Sequence, residues 1–194
     1  MIFVGSIVVF AALVFGVTAA QAVLYPGLLD TQVEVPPHNF NEHTHPGGSP
    51  LRISIPALGV DAAVIDVGIA KSGHMAVPQS FTEVGWYRYG PAPGELGSAV
   101  MAGHVDNGLG LKAVFARLDE LNIGNDIYVT MSDGRKLHFV VSDIEVYAYQ
   151  SVPSSVVFGQ QDTARLNLIT CEGAWVQGDK TYDHRVVIFS TLVS

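Results

Sequence analysis

The sequence predicts a mainly β protein: one closed or nearly closed β-barrel that follows an apolar N-terminal segment. Three observations predict it. Apolar and polar residues alternate through residues 126–147 on both sides of Asp133-Gly134, a strong hairpin signal. Short runs rich in β-branched residues recur from Leu51 to the end, among them "LRISIPALGVDAAVIDVG", "SAVMAGHV", "RLNLITC" and "RVVIFSTLV". Only residues 111–121 have helical spacing, with Val114, Phe115, Leu118 and Leu121 on one face. Many short strands and few helices favour a barrel.

Composition narrows the function. The chain has 194 residues, 48% of them apolar, which suits one domain with additions. Its net charge of −8 and ten scattered basic residues exclude a nucleic-acid binder, which needs clustered Lys and Arg. A single cysteine, Cys171, excludes a disulfide-stapled scaffold.

The elements follow in order. Residues 1–24 hold an uncharged apolar run, Ile2 to Ala20, long enough at about 1.5 Å per residue to cross a bilayer core. An uncleaved transmembrane anchor is the expectation. A cleaved signal peptide is the rival, since Ala20-Gln21-Ala22 has the look of a cleavage site. The first charge is Asp30 and the first basic residue Arg52, so charge does not set the orientation. Both readings place the remainder outside the cytoplasm. Residues 25–50, with Pro36-Pro37 and Gly47-Gly48, read as a flexible tether. His38, Glu42, His43 and His45 within it resemble metal ligands only loosely, and His-x-His in such a segment is more often unstructured. Residues 51–194 form the barrel domain.

Three chemistry-bearing residues sit at strand ends. Cys171 closes "LNLIT", His104 closes "AVMAG", and Arg185 opens "RVVIFS". Neighbouring strands would bring a thiol, an imidazole and a guanidinium to one rim. The thiolate is the good nucleophile, and a free thiol is mostly protonated at neutral pH. An imidazole takes that proton and later gives one to a leaving amine. A forked, permanently charged Arg can hold a carbonyl oxygen as it becomes an oxyanion. On pattern alone each has a plainer reading: buried thiol, turn histidine, surface arginine.

The motifs carry a resemblance. "LITC", a strand opening on Arg, and "AGH" upstream resemble the sortases, cysteine transpeptidases of mainly Gram-positive bacterial surfaces. The family signature T-L-x-T-C falls on Asn167 to Cys171, with Asn167 standing where the family has Thr. His104 lies 67 residues before Cys171 and Arg185 14 after it. "VGWYRYGPAPGELGSAVMAGHVDNGLGLKAVFARLDELNIGNDIYV" and "RLNLITCEGAW" are most similar to the class F branch. The resemblance implies an eight-stranded barrel with one or two short helices and a grooved site. It implies that Cys171 forms a thioester with an LPxTG-type sorting signal, that His104 shuttles protons, and that Arg185 steadies the oxyanion. In many sortases only a minor fraction carries the thiolate–imidazolium pair at neutral pH. The acceptor would be an amine of a cell-wall precursor or a pilin lysine. Ala102 matches a small groove residue, Asn167 lines the groove in the family, and Thr170 supports the nucleophile; these are the expected substrate-binding residues.

Other residues carry plainer expectations. Asp106 reads as a loop turn rather than a partner for His104. His184 points away from the Arg185 face. His74 and His138 are surface or strand residues, and Trp86, Tyr87 and Tyr89 are packing. Glu83, Glu95, Asp119 and Glu120 lack calcium-loop spacing, so no metal and no cofactor is expected. Two alternatives stay open: a secreted cysteine hydrolase of the same fold, and a non-catalytic wall-binding barrel in which Cys171 is structural.

Overall fold

The structure is a computed structural model and describes residues 30–36, 45–107, 109–159 and 161–193. Among the described residues ten strands run in chain order: β1 (Asp30–Glu34), β2 (Pro50–Ile55), β3 (Val60–Val67), β4 (His74–Ala76), β5 (Val84–Tyr87), β6 (Gly97–Ala102), β7 (Asp126–Met131), β8 (Lys136–Ala148), β9 (Ala164–Val176) and β10 (Thr181–Leu192). Eight of them close a barrel in the order β10-β8-β7-β2-β3-β5-β6-β9. The predicted hairpin is β7–β8, turned at Asp133-Gly134 with Gly134 at φ 89°. The β3–β5 and β6–β9 pairs are parallel; the other barrel pairs are antiparallel.

Alternation along the strands makes two apolar clusters. Inside the barrel lie Ile53, Ile55, Trp86, Met101, Leu166, Leu168, Val186 and Ile188, with Phe115 and Leu118 from the β6–β7 connection packed into the same cluster. The opposite faces of β6, β9 and β10 carry Val100, Ala102, Ile169, Val187 and Phe189. That second face would be open to water on a bare barrel. It is covered instead by β1, β4 and the segment joining β8 to β9, through Val33, Met75 and Val157.

Two expectations need correction. Residues 111–121 are not a helix: turns lead into a single 3-10 turn, Leu118–Glu120. The backbone N–H groups of Val114 and Phe115 donate to Phe81 and His104 carbonyls, not back along their own segment. The apolar residues at helical spacing still go inward, because Phe115, Leu118 and Leu121 are all buried. The tether reading also fails for Asp30–Glu34, which is a strand paired with β4. Thr31 and Val33 alternate inward there and fill the outer groove, which supplies the burial that a free tether lacks.

The proposed membrane segment and His38, Glu42 and His43 lie outside the described residues. Among the described residues no helix is long and apolar enough to cross a membrane. His45 is packed edge-on against Trp86, with Nδ1 3.0 Å from Glu95 Oε2. Trp86 is itself buried, its Nε1–H donating to the Pro91 carbonyl, in line with a packing role.

Candidate active site

Register brings the three chemistry-bearing residues together. β9 lies between β6 and β10, Arg185 is directly opposite Cys171, and Ala102 is opposite Ile169. His104 follows two residues after Ala102. The resulting cavity is lined by Ala102, His104, Thr170, Cys171 and Arg185, together with Asp30 and Thr31 from β1. Its volume of about 20 Å³ leaves room for roughly one water.

Each side chain is held for a physical reason. His104 is buried against the Phe81 ring, centroids 4.9 Å apart. Its Nε2 lies 2.8 Å from the Pro78 carbonyl oxygen. A carbonyl only accepts, so Nε2 carries the hydrogen and Nδ1 is the atom left to exchange a proton. Gly103 makes this placement possible: a Cβ there would come within 2.6 Å of Phe115 and 2.7 Å of Val114. The Thr170 hydroxyl donates to the Gly103 carbonyl at 2.8 Å, tying β9 just before Cys171 to the segment that carries His104 past the end of β6. Cys171 and Arg185 are thus not at strand ends as expected, because the β9–β10 pairing continues beyond them to Val176 and Thr181.

Arg185 is wholly buried, and four hydrogen bonds fix its guanidinium. Nη1 donates to the carbonyls of Tyr182 and His184, and Nη2 to the Thr181 hydroxyl. Nε donates at 2.8 Å to the carbonyl of Thr31, which belongs to β1. The first three bonds come from the arginine's own strand and fix its direction. The fourth points the remaining fork edge at a foreign carbonyl, the kind of group an acyl substrate would present.

β1 is therefore a strap across the site. Asp30 accepts from the Gln32 N–H at 2.8 Å and from the Ser72 hydroxyl at 2.7 Å, and lies 3.3 Å from His74 Nδ1. The five residues Asp30–Glu34 of β1 span the three residues His74–Ala76 of β4, an irregularity that includes Gln32 at φ 54°, which costs a non-glycine residue about 1 kcal/mol.

Behind Cys171 the hairpin bends at Gly173, where φ is 86° and a Cβ would meet Asp183 Oδ1 at 2.1 Å. The left-handed backbone and the close approach together favour glycine at this position, two residues after the thiol. Asp106 does not serve as a bare turn residue. Its carboxylate accepts a hydrogen bond from the Tyr182 hydroxyl on β10. Asn167 lies away from the cavity; its Nδ2 donates at 2.7 Å to the Val157 carbonyl, holding the segment between β8 and β9 onto the barrel. His184 pairs with Asp183 at 2.8 Å, and His138 with Asp126 at 2.7 Å.

A family model described as Sortase domain matches residues 53–193. The chain belongs to the sortase family. Solved sortases share its fold. Sortase C-1 from Actinomyces oris has a TM-score of 0.61 and 21% identity over 91% of this chain and 96% of that one. Group B Streptococcus Pilus Island 1 Sortase C2 has a TM-score of 0.59 and 16% identity over 93% and 95%. A Clostridium perfringens Sortase D5 transpeptidase has a TM-score of 0.56 and 20% identity over 76% and 79%. No curated protein sequence matches the chain. The closed eight-stranded barrel expected from the resemblance is borne out.

The electrostatics of this sortase define its resting state. Burial pushes the Cys171 thiol up; Arg185 pulls it back, while Asp106 and Asp30 push it further up. Burial pulls the His104 imidazole down, opposed by its bond to Pro78 and by Asp106. Both shifts favour neutral forms, so the resting pair is thiol and imidazole. Arg185 is also pulled down by burial, yet a guanidinium stays charged at any physiological pH.

Proposed function

We propose that this sortase is an extracytoplasmic cysteine transpeptidase, anchored by its N-terminal segment, that cleaves an LPxTG-type sorting signal and passes the acyl group to an amine. Class F is the branch its sequence motifs favour. The observation that carries the activity is the junction of Cys171, His104 and Arg185 at one cavity, with a peptide carbonyl already on Arg185 Nε. The sorting signal displaces β1 and puts its Thr carbonyl where that of Thr31 lies. The thiol gives its proton to His104 Nδ1, and the thiolate attacks the carbonyl carbon. Arg185 holds the oxygen as it becomes negative. His104 returns its proton to the departing amine as the C–N bond breaks, leaving a thioester. Ala102 and Thr170 border the reacting carbonyl, and Asn167 supports the substrate side by positioning the segment between β8 and β9.

The acyl step needs the minor thiolate–imidazolium form, so its pH dependence has a definite sign. Below the His104 pKa both groups are protonated and no thiolate forms. Above the Cys171 pKa the imidazolium is lost. With His104 lowered and Cys171 raised, the rate of thioester formation stays level at least from about pH 6.5 to about pH 8.5, the ordinary values of the two groups. Both limbs fall outside that window. Single-turnover acylation followed by mass from acid to alkaline pH checks this, and a limb inside the window contradicts it.

Transpeptidation itself is tested with an LPxTG-type peptide and triglycine. The expected product is the ligated peptide, increasing with amine concentration. Cleavage that triglycine neither speeds nor diverts would identify a hydrolase instead.

A further inference from the structure

An acceptor amine reaches the thioester as an ammonium, since a lysine side chain has a pKa near about 10.4. It must be drawn in beside Cys171, lose a proton and attack. The strap and the groove it fills lie across the outer faces of β6, β9 and β10. A second pair of residues lies past the end of β6 and at the start of β10. Asp106 stands two residues beyond His104, and Tyr182 three residues from Arg185 toward the β9–β10 turn. The Tyr182 hydroxyl donates to Asp106, its ring packs edge-on to Trp175 at 5.3 Å, and its own carbonyl accepts from Arg185 Nη1 at 2.9 Å. One tyrosine thus fixes a carboxylate relative to both the His104 loop and the arginine.

Other carboxylates nearby are engaged or averted. Asp30 belongs to the strap and is bound to Ser72 and Gln32. Asp183 accepts from the Ala174 N–H and pairs with His184. Glu172 follows Cys171 and faces the other side of the strand. Asp106 alone among these is tied to β10 through the tyrosine whose carbonyl also holds Arg185, and its charge acts on both Cys171 and His104.

We infer that Asp106, held by Tyr182, is the docking carboxylate for the cationic acceptor amine. This rests on the transpeptidase reading. The docked ammonium gives one proton to His104 Nδ1 or to water and attacks the thioester carbon. The C–N bond forms as the C–S bond breaks. A second amine proton passes to the Cys171 sulfur, restoring the thiol, so each transfer releases one net proton.

The test compares two nucleophiles on the same preformed thioester of the full chain: Nα-acetyl-lysine amide, a cation, and hydroxylamine, uncharged at neutral pH. The readout is the ratio of their second-order rate constants. Asp106→Asn is expected to lower that ratio about tenfold, the size of one lost charge-assisted contact. Tyr182→Phe lowers it less, in the same direction. The ratio in the unaltered chain falls as salt is raised, and in Asp106→Asn it does not. If both variants slow the two nucleophiles alike, or leave the ratio unchanged, Asp106 and Tyr182 only shape the loop and the inference is overturned. Failure of the unaltered chain to form any thioester overturns the transpeptidase reading and this inference together.

Discussion

Val33→Asp raises the rate at which Cys171 is acylated by about tenfold or more. The reasoning starts from burial. Val33 is 1% exposed and packs on the outer cluster with Met75, Tyr87 and Val187. Taking that side chain out of apolar contact costs roughly 2 kcal/mol, and a carboxylate in its place adds a desolvation penalty. Every 1.4 kcal/mol, approximately, is a factor of ten in the balance between closed and open strap. The barrel does not depend on the strap, because β1 pairs only with the three-residue β4 and its apolar residue lies outside the inner core. The variant therefore stays folded while the site opens. Time courses of thioester formation, with thiol alkylation as a second probe, measure the effect. Equal rates in the two proteins would mean that β1 does not gate the site.

Arg185→Lys lowers acylation by about two to three orders of magnitude, the usual cost of removing an oxyanion donor. Charge is conserved in this exchange, so the loss isolates geometry. A guanidinium spends three N–H groups on Tyr182, His184 and Thr181 and still presents Nε–H to a carbonyl. An ammonium is a single point with three donors and cannot hold that fork. It also leaves buried acceptors unmet, so the melting temperature falls, and rates must be taken per folded molecule. Near-normal single-turnover acylation in the folded variant would remove Arg185 from the mechanism.

What the sequence reveals and what it hides divide along physical lines. Alternation in β7, β8, β9 and β10 announces the barrel because each strand has one face in the core. Cys171, His104 and Arg185 are legible through their motifs, but their full setting is not: only His104 lies just past a strand end, while β9 continues beyond Cys171 to Val176 and β10 begins at Thr181, before Arg185. The strap is hidden. Its strand has five residues, pairs with three residues some 40 positions away, and lies in a Pro- and Gly-rich stretch. The one available signal was the alternation of Val33 and Val35 with Gln32 and Glu34. Residues 111–121 mislead for the opposite reason: their apolar spacing is real and is used for burial, but neighbouring carbonyls capture the backbone N–H groups. Asn167 shows a further limit. Its place in the motif suggests contact with substrate, whereas its amide holds the Val157 carbonyl. The Tyr182–Asp106 bond joins residues 76 apart in sequence, and no local pattern marks it.

The account's central claim is that Cys171 is a nucleophile gated by β1 and completed by His104 and Arg185. Intact mass of the full chain, incubated with an LPxTG-type peptide and no amine, tests it most directly. The predicted result is a single acyl adduct on Cys171, faster to form in Val33→Asp and absent in Cys171→Ala. A folded Val33→Asp protein whose thiol alkylates readily, yet takes up no acyl group from the peptide, would contradict it.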